Sequence, residues 1–288
     1  MPKNSLLIAL VLLSAIAQAQ KPILFKIKYL PAHTYEMVTK DSMDLKVILI
    51  DQSVGAEKKA DMTDHPLNMV VTTEWGTNLK ADDMIGGRFP VALIGRKFST
   101  KTTLNGTDAP MPPMPPVEGV RVNGKIDAAG TMFLDTATAA DEIKNAVSNL
   151  TGGMAKQLNF PDQPMKVGDT FSQDENVNAM NMPDFGIDMN YPTKVTYQLI
   201  AIKGKMAYFD ITSTFSLNVE KEAQGKMVKL IGNGTGTGKM EYFIDKSYPK
   251  SIVNATEYML EITGPNTKGN LKWSISKEGR YVVTKGGD

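Results

Sequence analysis

Methionine is the residue type with the clearest chemical potential in this chain. Met180, Met182 and Met189 recur within one short stretch, and Met111 and Met114 lie in a proline-rich one. Thioether sulfurs are soft ligands that select Cu(I), so these two loops could bind copper. The alternative is apolar, because the flexible methionine side chain also adapts to irregular hydrophobic ligands or anchors a loop on a core.

Carboxylates are the second group that could carry chemistry, as the acid and the base of a hydrolase. A glycosidase needs two carboxyl groups that face each other across the scissile bond. The sequence does not show which acids face each other, and charged turns at the rim of a sheet explain them more simply. These acids are Asp61, Asp64, Asp82, Asp83, Asp174, Glu175, Asp184 and Asp188.

Other catalytic and metal-binding patterns are missing from the sequence. The chain has no cysteine, which excludes thiolate nucleophiles and zinc–thiolate sites. His33 and His65 stand in turn-like settings without partners at motif spacing. No nucleophile elbow, zinc helix or calcium loop occurs either. The leading interpretation is therefore a chain that is not an enzyme, with no catalytic residue, no metal site and no cofactor.

A row of four glycines is the most unusual local pattern. Gly232, Gly234, Gly236 and Gly238 occupy every second position, so their missing side chains fall on one face of one strand. Such a row favours the close approach of another backbone or of a ligand. We consider two occupants, a helix packed on the bare sheet and a bound acyl or aromatic group. A dinucleotide loop is excluded, because Lys239 stands where its third glycine should be.

The elements that would hold these residues are mostly strands. Apolar and polar residues alternate in several segments, which is typical of an antiparallel sheet with one buried face. Lys203-Gly204, Asn105-Gly106 and Asn123-Gly124 are turn signals. The predicted strands include Ile23–Tyr29, Val195–Ala201, Ala207–Phe215, Ile252–Ile262 and Leu271–Ile275.

The apolar strand faces supply the candidate ligand-binding residues. We expect them to line a cavity on the concave side of a curved sheet, with two glycines as its floor. Residues 174–192 are predicted to be an irregular, mobile loop that carries two methionines as a flap. The candidates are Phe209, Ile211, Phe215, Tyr258, Leu260, Trp273, Gly234, Gly236, Met180 and Met182.

One segment, Ala137–Leu158, breaks the strand pattern and is predicted to be helical. Thr138 can cap it, and Ile143, Val147 and Leu150 share one face. A sheet with one apolar face must be covered, so we expect this helix to form a short lid.

The predicted fold is mainly β: a curved antiparallel sheet, or half-barrel, with a short helical lid. Residues 20–288 would form one domain of two β halves, 20–135 and 165–288, joined by the helical segment 137–158. The net charge is +1 and the basic residues are scattered, which argues against nucleic-acid binding. No apolar run after residue 19 reaches the ~20 residues of a membrane helix. The oligomeric state stays open.

Residues 1–19 are predicted to be a secretory signal peptide. Lys3 gives a positive start, Leu6–Ile16 is an apolar core, and Ala17 and Ala19 are small residues at the cleavage spacing. The mature chain has no cysteine that could be acylated. We therefore expect a soluble periplasmic or secreted protein.

A phrase in the second half resembles a family of secreted bacterial proteins of unknown function. Phe160-Pro161, followed by Pro164-Met165-Lys166-Val167-Gly168-Asp169-Thr170-Phe171, is similar to the family pattern FP..P.K.GD.W. The strand pair 197–211 and the glycine strand 232–238 extend the resemblance, which covers roughly residues 119–251. Such proteins are similar in outline to lipoprotein-carrier (LolA-like) half-barrels. The resemblance implies a role in binding a hydrophobic ligand or a cell-envelope component.

The leading hypothesis is an exported, non-catalytic protein that binds a hydrophobic ligand or a cell-envelope partner. Periplasmic Cu(I) binding through the methionine loops and an unrecognised hydrolase that uses rim carboxylates are the alternatives. A deep apolar cavity would favour the first, clustered methionine sulfurs the second, and two buried facing carboxylates the third.

The leader gives a first testable prediction. Cleavage is expected next to Ala19, because Ala17 and Ala19 fit the small-residue site of signal peptidase. The intact mass of the exported protein measures this directly. A mature protein that retains residues 1–19 would contradict the predicted processing and localisation.

Overall fold

The protein is described here by a computed structural model that covers residues 21–51, 66–109, 118–127, 131–135, 158–182, 187–223, 226–265 and 267–286. These residues form one antiparallel sheet of twelve strands, which is not closed. Eleven strands run in the order β6-β5-β3-β2-β1-β12-β11-β10-β9-β8-β7, and β4 pairs with β3 alone. The strands are β1 (His33–Asp51), β2 (Leu67–Ala81), β3 (Phe89–Leu104), β4 (Thr107–Ala109), β5 (Arg121–Ile126), β6 (Met132–Leu134), β7 (Thr170–Met182), β8 (Ile187–Lys203), β9 (Met206–Ala223), β10 (Lys226–Phe243), β11 (Tyr248–Thr263) and β12 (Thr267–Lys285).

Period-two alternation predicted this mainly β, antiparallel architecture correctly. Two of the turn signals are confirmed as well. Asn105 and Gly106, both with positive φ, form the tight turn between β3 and β4. Gly204, with a φ of 59°, begins the two-residue turn between β8 and β9. The described part of the chain contains no helix, and none that could span a membrane. The predicted helical segment 137–158 lies outside the described residues, apart from Leu158.

The sheet bends strongly at β10, the glycine strand. Ser213 on β9 and Thr256 on β11 both pair with Gly236 between them. Strands two positions apart in a flat sheet are separated by about 9–10 Å. The Ser213 and Thr256 hydroxyl oxygens nevertheless lie 3.0 Å apart and share a hydrogen bond. These side chains lean over the glycine, and the sheet curls toward the face on which they lie.

The curl continues across the neighbouring strands. We call the face that carries the row of glycines the inner face, and the opposite one the outer face. Burial raises the pKa of Tyr258 on β11, and the Glu175 carboxylate on β7, four strands away, adds to the rise. Burial likewise raises the pKa of Tyr197 on β8, with a contribution from Tyr281 on β12. In a flat sheet, side chains four strands apart would be about 19 Å from each other.

The inner face holds nearly all of the buried apolar side chains, in three clusters. The tyrosine cluster contains Tyr29, Tyr35, Met37, Leu79, Ala81, Phe89, Val91, Leu93, Ile126, Tyr248, Tyr281 and Val283. The tryptophan cluster contains Leu45, Phe215, Leu217, Leu230, Tyr258, Leu260, Ile262, Leu271 and Trp273. The phenylalanine cluster contains Phe25, Leu158, Met165, Val195, Tyr197, Leu199, Ala207, Phe209, Ile211, Met240 and Tyr242.

Residues 21–32, which we call the strap, cross one end of the inner face. Ile23 and Met165 exchange two backbone hydrogen bonds of 2.8 Å, and Ala32 donates one of 3.0 Å to the Asp82 carbonyl. The Tyr242 hydroxyl donates to the Lys26 carbonyl. The strap therefore ties the first half of the sheet to the second.

The sequence pattern predicted a strand over Ile23–Tyr29, and this prediction was wrong, because these residues form the strap. Only Ile23 forms a bridge. The alternation is nevertheless meaningful, because Phe25 and Tyr29 are both buried while Leu24 is 45% exposed. An extended segment that lies across the end of a sheet also has one buried side and one solvent-exposed side. The period-two pattern therefore occurs without a ladder of backbone hydrogen bonds.

Two further predictions were wrong. Asn123-Gly124 is no turn but lies inside β5, where Gly124 faces the Phe133 carbonyl so closely that a Cβ would be 2.2 Å from it. Residues 174–182 and 187–192 are no irregular loop either. They belong to β7 and β8, which pair with each other as far as Met182 and Ile187. Pro183 and Gly186 lie outside the described residues.

The glycine strand gives a stability prediction. Gly236→Ala should lower the free energy of unfolding by about 1–3 kcal/mol, the range for overpacking. Its Cβ would lie 2.3 Å from Thr256 Oγ1 and 2.6 Å from the Ala255 carbonyl oxygen. Gly76→Ala is the matched control, because its Cβ would meet nothing closer than 3.7 Å. Urea unfolding of both variants measures the difference, and equal midpoints would show that the space over Gly236 is open.

Candidate functional site

The structure places the predicted cavity residues on one face but in two groups. Phe209 and Ile211 belong to the phenylalanine cluster. The other large candidates belong to the tryptophan cluster, and Gly234 and Gly236 lie beneath it on the same face. These large residues are Phe215, Tyr258, Leu260 and Trp273. Met180 and Met182 fall in the last part of β7, and their side chains lie outside the described residues.

Side chains of the flanking strands occupy the space above the glycines. The rings of Phe215 and Tyr258 meet edge to face, with centroids 5.6 Å apart, across Gly234. Tyr258 stacks in turn on Trp273 at 4.9 Å with nearly parallel planes. The glycines thus make room for aromatic packing within the sheet, and the described residues show no smooth floor there.

A recess of about 440 Å³ opens beside the strap, where the strap crosses the inner face. Its apolar wall comes from the strap, the β6 end and the segment after Leu158, so it lies where the tyrosine and phenylalanine clusters meet. The apolar lining residues are Phe25, Ile27, Tyr29, Met132, Leu158 and Phe160. Its polar lining is Lys26, Thr131, Asn159 and Asp162.

Packed aromatic rings position the wall of this strap recess. Phe25 is 1% exposed and lies 5.4 Å from both Phe160 and Tyr242, centroid to centroid. Phe160 also packs on Phe171, at 5.2 Å. Sequence reasoning did not identify this site. The only signals were the alternation in Ile23–Tyr29 and the Phe160-Pro161 phrase of the family resemblance.

A second polar feature lies on the inner face, between the tyrosine and tryptophan clusters. Asp41, Trp75 and Thr77 point inward, because the strand register gives them the parity of buried Thr39, Met37 and Leu79. Asp41 Oδ1, Trp75 Nε1 and Thr77 Oγ1 are buried and have no hydrogen-bond partner. Burial raises the pKa of Asp41, against a smaller lowering by the Lys277 ammonium. We call these three residues the polar centre.

Two grooves indent the outer face. The larger, of about 470 Å³, crosses five strands near Lys40, Glu74 and Val253, and the smaller, of about 260 Å³, lies near Met259 and Ile231. Some of their charged side chains form exposed ion pairs, as Glu74 does with Lys97 at 3.0 Å. Exposed pairs of this kind contribute little to stability. Asp41, whose Oδ1 is buried, also lines the larger groove.

The described residues do not support the hydrolase hypothesis, and the copper hypothesis stays a prediction. Met111 and Met114 lie outside the described residues, as do the side chains of Met180, Met182 and Met189. Asp82, Asp83 and Asp174 are exposed, and Glu175 accepts hydrogen bonds from the Tyr197 hydroxyl and the Gln173 amide rather than facing a second carboxylate. Asp61, Asp64, Asp184 and His65 lie outside the described residues, as does the side chain of Asp188. Among the residues described, no group of three His, Cys, Asp or Glu could hold a metal ion. His33 donates from Nδ1 to the Pro31 carbonyl, at 2.7 Å.

Comparison with known proteins gives no assignment. No protein family model and no curated protein matches the chain. A lipovitellin chain, in a structure of lipid–protein interactions, superposes with a TM-score of 0.48 and 10% identity over 91% of this chain and 26% of its own length. The Klebsiella pneumoniae type II secretion outer-membrane complex of PulD, PulS and the PulC HR domain gives a TM-score of 0.22 and 7% identity over 96% and 43%. The chain spans about a quarter of the lipovitellin chain, and neither low score establishes a fold family or a function.

The buried tyrosines give a pH prediction. Burial raises the pKa of Tyr35 and Tyr242 from 10.0 to about 12, and burial also raises the pKa of Tyr29, Tyr248 and Tyr281. The folded state therefore favours the neutral phenols, while the unfolded chain ionises near pH 10. Stability from these residues is complete below pH 10 and is lost as pH rises from 10 through about 12.

Urea midpoints measured across this range should stay level below pH 10 and fall above it, and the slope should be smaller in Tyr35→Phe. Phenolate absorbance should appear together with unfolding. Ionisation of most tyrosines near pH 10 in a chain that stays folded would contradict the burial of this cluster.

Proposed function

We propose that this chain is a non-catalytic protein that binds an apolar or amphiphilic molecule, or a lipid-bearing envelope partner, at the inner face of its sheet. The strap recess carries this proposal. It is concave, it opens between two buried apolar clusters, and its volume of about 440 Å³ lies within the range of small-molecule sites.

The lining of the recess is mixed, with polar groups making up the larger accessible part and aromatic and aliphatic side chains the rest, which fits an amphiphile. Met132 is only partly buried, so it can adjust to the shape of a ligand. Lys26 and Asp162 supply opposite charges at the same site. A molecule with an apolar body and a polar end could bury the apolar side chains and form hydrogen bonds with the charged groups at the same time.

The lid belongs to this proposal as well. We propose that the predicted helical segment 137–158 covers the inner face, with Ile143, Val147 and Leu150 toward it. Leu158, at the end of that segment, is 7% exposed in the phenylalanine cluster and lines the recess. A lid anchored at Leu158 would lie next to the strap recess.

Export is also part of the proposed function. The predicted leader 1–19 would direct the chain to the periplasm or the cell exterior, where a carrier of apolar molecules would meet its ligand. The resemblance to secreted proteins with a LolA-like half-barrel outline is consistent with that setting. In this proposal the chain uses no cofactor and binds no nucleic acid.

Binding of an uncharged fluorescent probe tests the proposal. N-phenyl-1-naphthylamine should bind the mature chain with a dissociation constant in the micromolar range, roughly −8 kcal/mol. Met132→Trp should weaken this binding severalfold, because the larger ring fills the recess. Met259→Trp is the matched control, since Met259 is 55% exposed on the outer face. No binding at high micromolar protein, or equal weakening by both variants, would contradict a ligand site in the recess.

A further inference from the structure

We propose that the polar centre is a head-group subsite that selects an uncharged, hydroxyl-bearing amphiphile over a fatty acid. The subsite consists of Asp41, Trp75 and Thr77. This inference rests on the proposed function and adds the chemical class of the ligand. It uses residues of β1 and β2 that line none of the sites predicted from the sequence.

Strand register makes Asp41 and Trp75 neighbours, and Thr77 is the next inner-face residue of β2 after Trp75. Thr39 pairs with Trp75 and Met37 with Thr77, while Asp41 is diagonal to Trp75 across the β1–β2 ladder. Side chains at opposite and diagonal positions of one sheet face are within reach of each other. A single small polar group can therefore contact more than one of them.

All three residues have an unpaired polar atom in a buried position. The atoms are Asp41 Oδ1, Trp75 Nε1 and Thr77 Oγ1, and Thr77 is only 2% exposed. Buried polar atoms are almost always paired, and each unpaired one costs about 1–3 kcal/mol. Three of them on neighbouring positions of one face indicate a place built to bind a polar group.

The surroundings of the polar centre are polar on one side and apolar on the other. Gly279 on β12 pairs with Thr39 on β1. Because Gly279 has no side chain, it leaves room for the Tyr281 hydroxyl, which would lie only 2.9 Å from a Cβ at position 279. Burial raises the pKa of Tyr281, with smaller contributions from Tyr29 and from the Asp41 carboxylate, so Asp41 is near this hydroxyl too. In the other direction along β1 the inner face is apolar at Met37 and Tyr35, in the tyrosine cluster.

The donors and acceptors define the ligand group. Trp75 Nε1 can only donate, an ionised Asp41 can only accept, and the Thr77 hydroxyl can do both. A ligand hydroxyl matches this set, because its oxygen accepts from Trp75 while its hydrogen is donated to Asp41. A ligand carboxylate would place a second negative charge beside Asp41, and the Lys277 ammonium on β12 would offset only part of the repulsion. The acyl chain of the ligand would then lie along the tyrosine cluster, against which Trp75 packs and whose Tyr29 lines the strap recess.

Displacement of N-phenyl-1-naphthylamine by two lipids with the same acyl chain tests the subsite. Monooleoylglycerol should bind the wild-type chain about tenfold more tightly than oleate, the effect of roughly one hydrogen bond to a charged group. Asp41→Asn should tighten oleate binding and reduce the difference to less than threefold. Asp44→Asn, on the exposed outer side of the same strand, is the matched control and should leave the tenfold difference intact.

A second variant separates head-group recognition from packing. Trp75→Phe removes the donor while keeping an aromatic ring, so it should weaken monooleoylglycerol binding and leave the uncharged probe unaffected. Equal affinity of the wild type for the two lipids, or the same lipid preference in Asp41→Asn and Asp44→Asn, would overturn the subsite while leaving the proposed function intact. Failure of the probe and of both lipids to bind the wild type would overturn both.

Discussion

The absence of side chains along one face of β10 is the constraint on which the rest of this structure depends. A flat antiparallel sheet of this width would expose its whole apolar face. At β10 the bare backbone lets side chains of β9 and β11 meet above it, through the Ser213–Thr256 hydrogen bond and the Phe215–Tyr258 ring contact. Each of these contacts needs a missing Cβ beneath it, and together they turn the sheet inward.

Curvature then decides what the inner face contains. Residues from strands that are far apart in the sheet order become neighbours. The Glu175 carboxylate therefore contributes to the raised pKa of Tyr258, and Tyr281 contributes to the raised pKa of Tyr197. The strap closes one end by aromatic packing, with Phe25 at its centre. The recess lies at the edge of this aromatic packing, and the polar centre lies between the tyrosine and tryptophan clusters. Both candidate features are therefore consequences of how far the sheet curls.

The sequence predicted the fold well where local signals and tertiary structure agree. Strict alternation predicted β8, β9, β11 and β12, since the period of side-chain direction in a strand depends on the strand alone. The failures have a common cause. Asn123-Gly124 reads as a turn, but Gly124 is needed for a close contact with β6, which no local pattern encodes. Pro192 reads as a break in the strand pattern, yet it lies within β8, where the pairing of β7 with β8 overrides its local preference.

The candidate site was harder to predict than the fold. Sequence reasoning found the inner-face aromatic residues but could not tell that they would fill the space over the glycines themselves. The strap recess joins Phe25 to Phe160, which are distant in sequence and meet only because the strap crosses the sheet. The polar centre was missed for a different reason. Asp41 and Thr77 are ordinary strand residues, and only their register and burial make them unusual.

The most direct test of the account is a measurement of the distance across the glycine strand. The chain has no cysteine, so the double variant Ser213→Cys/Thr256→Cys contains the only two thiols. Thr212→Cys/Ala255→Cys, the equivalent pair on the outer face, flanks Thr237 of the same strand. In a curled sheet, mild oxidation or an ethylene-spaced bis-thiosulfonate should join the first pair of thiols within one chain and leave the second pair unjoined. Intact mass shows which pair is joined. Equal cross-linking of the two pairs would show a flat sheet and contradict the curvature from which the inner face, the recess and the polar centre all follow.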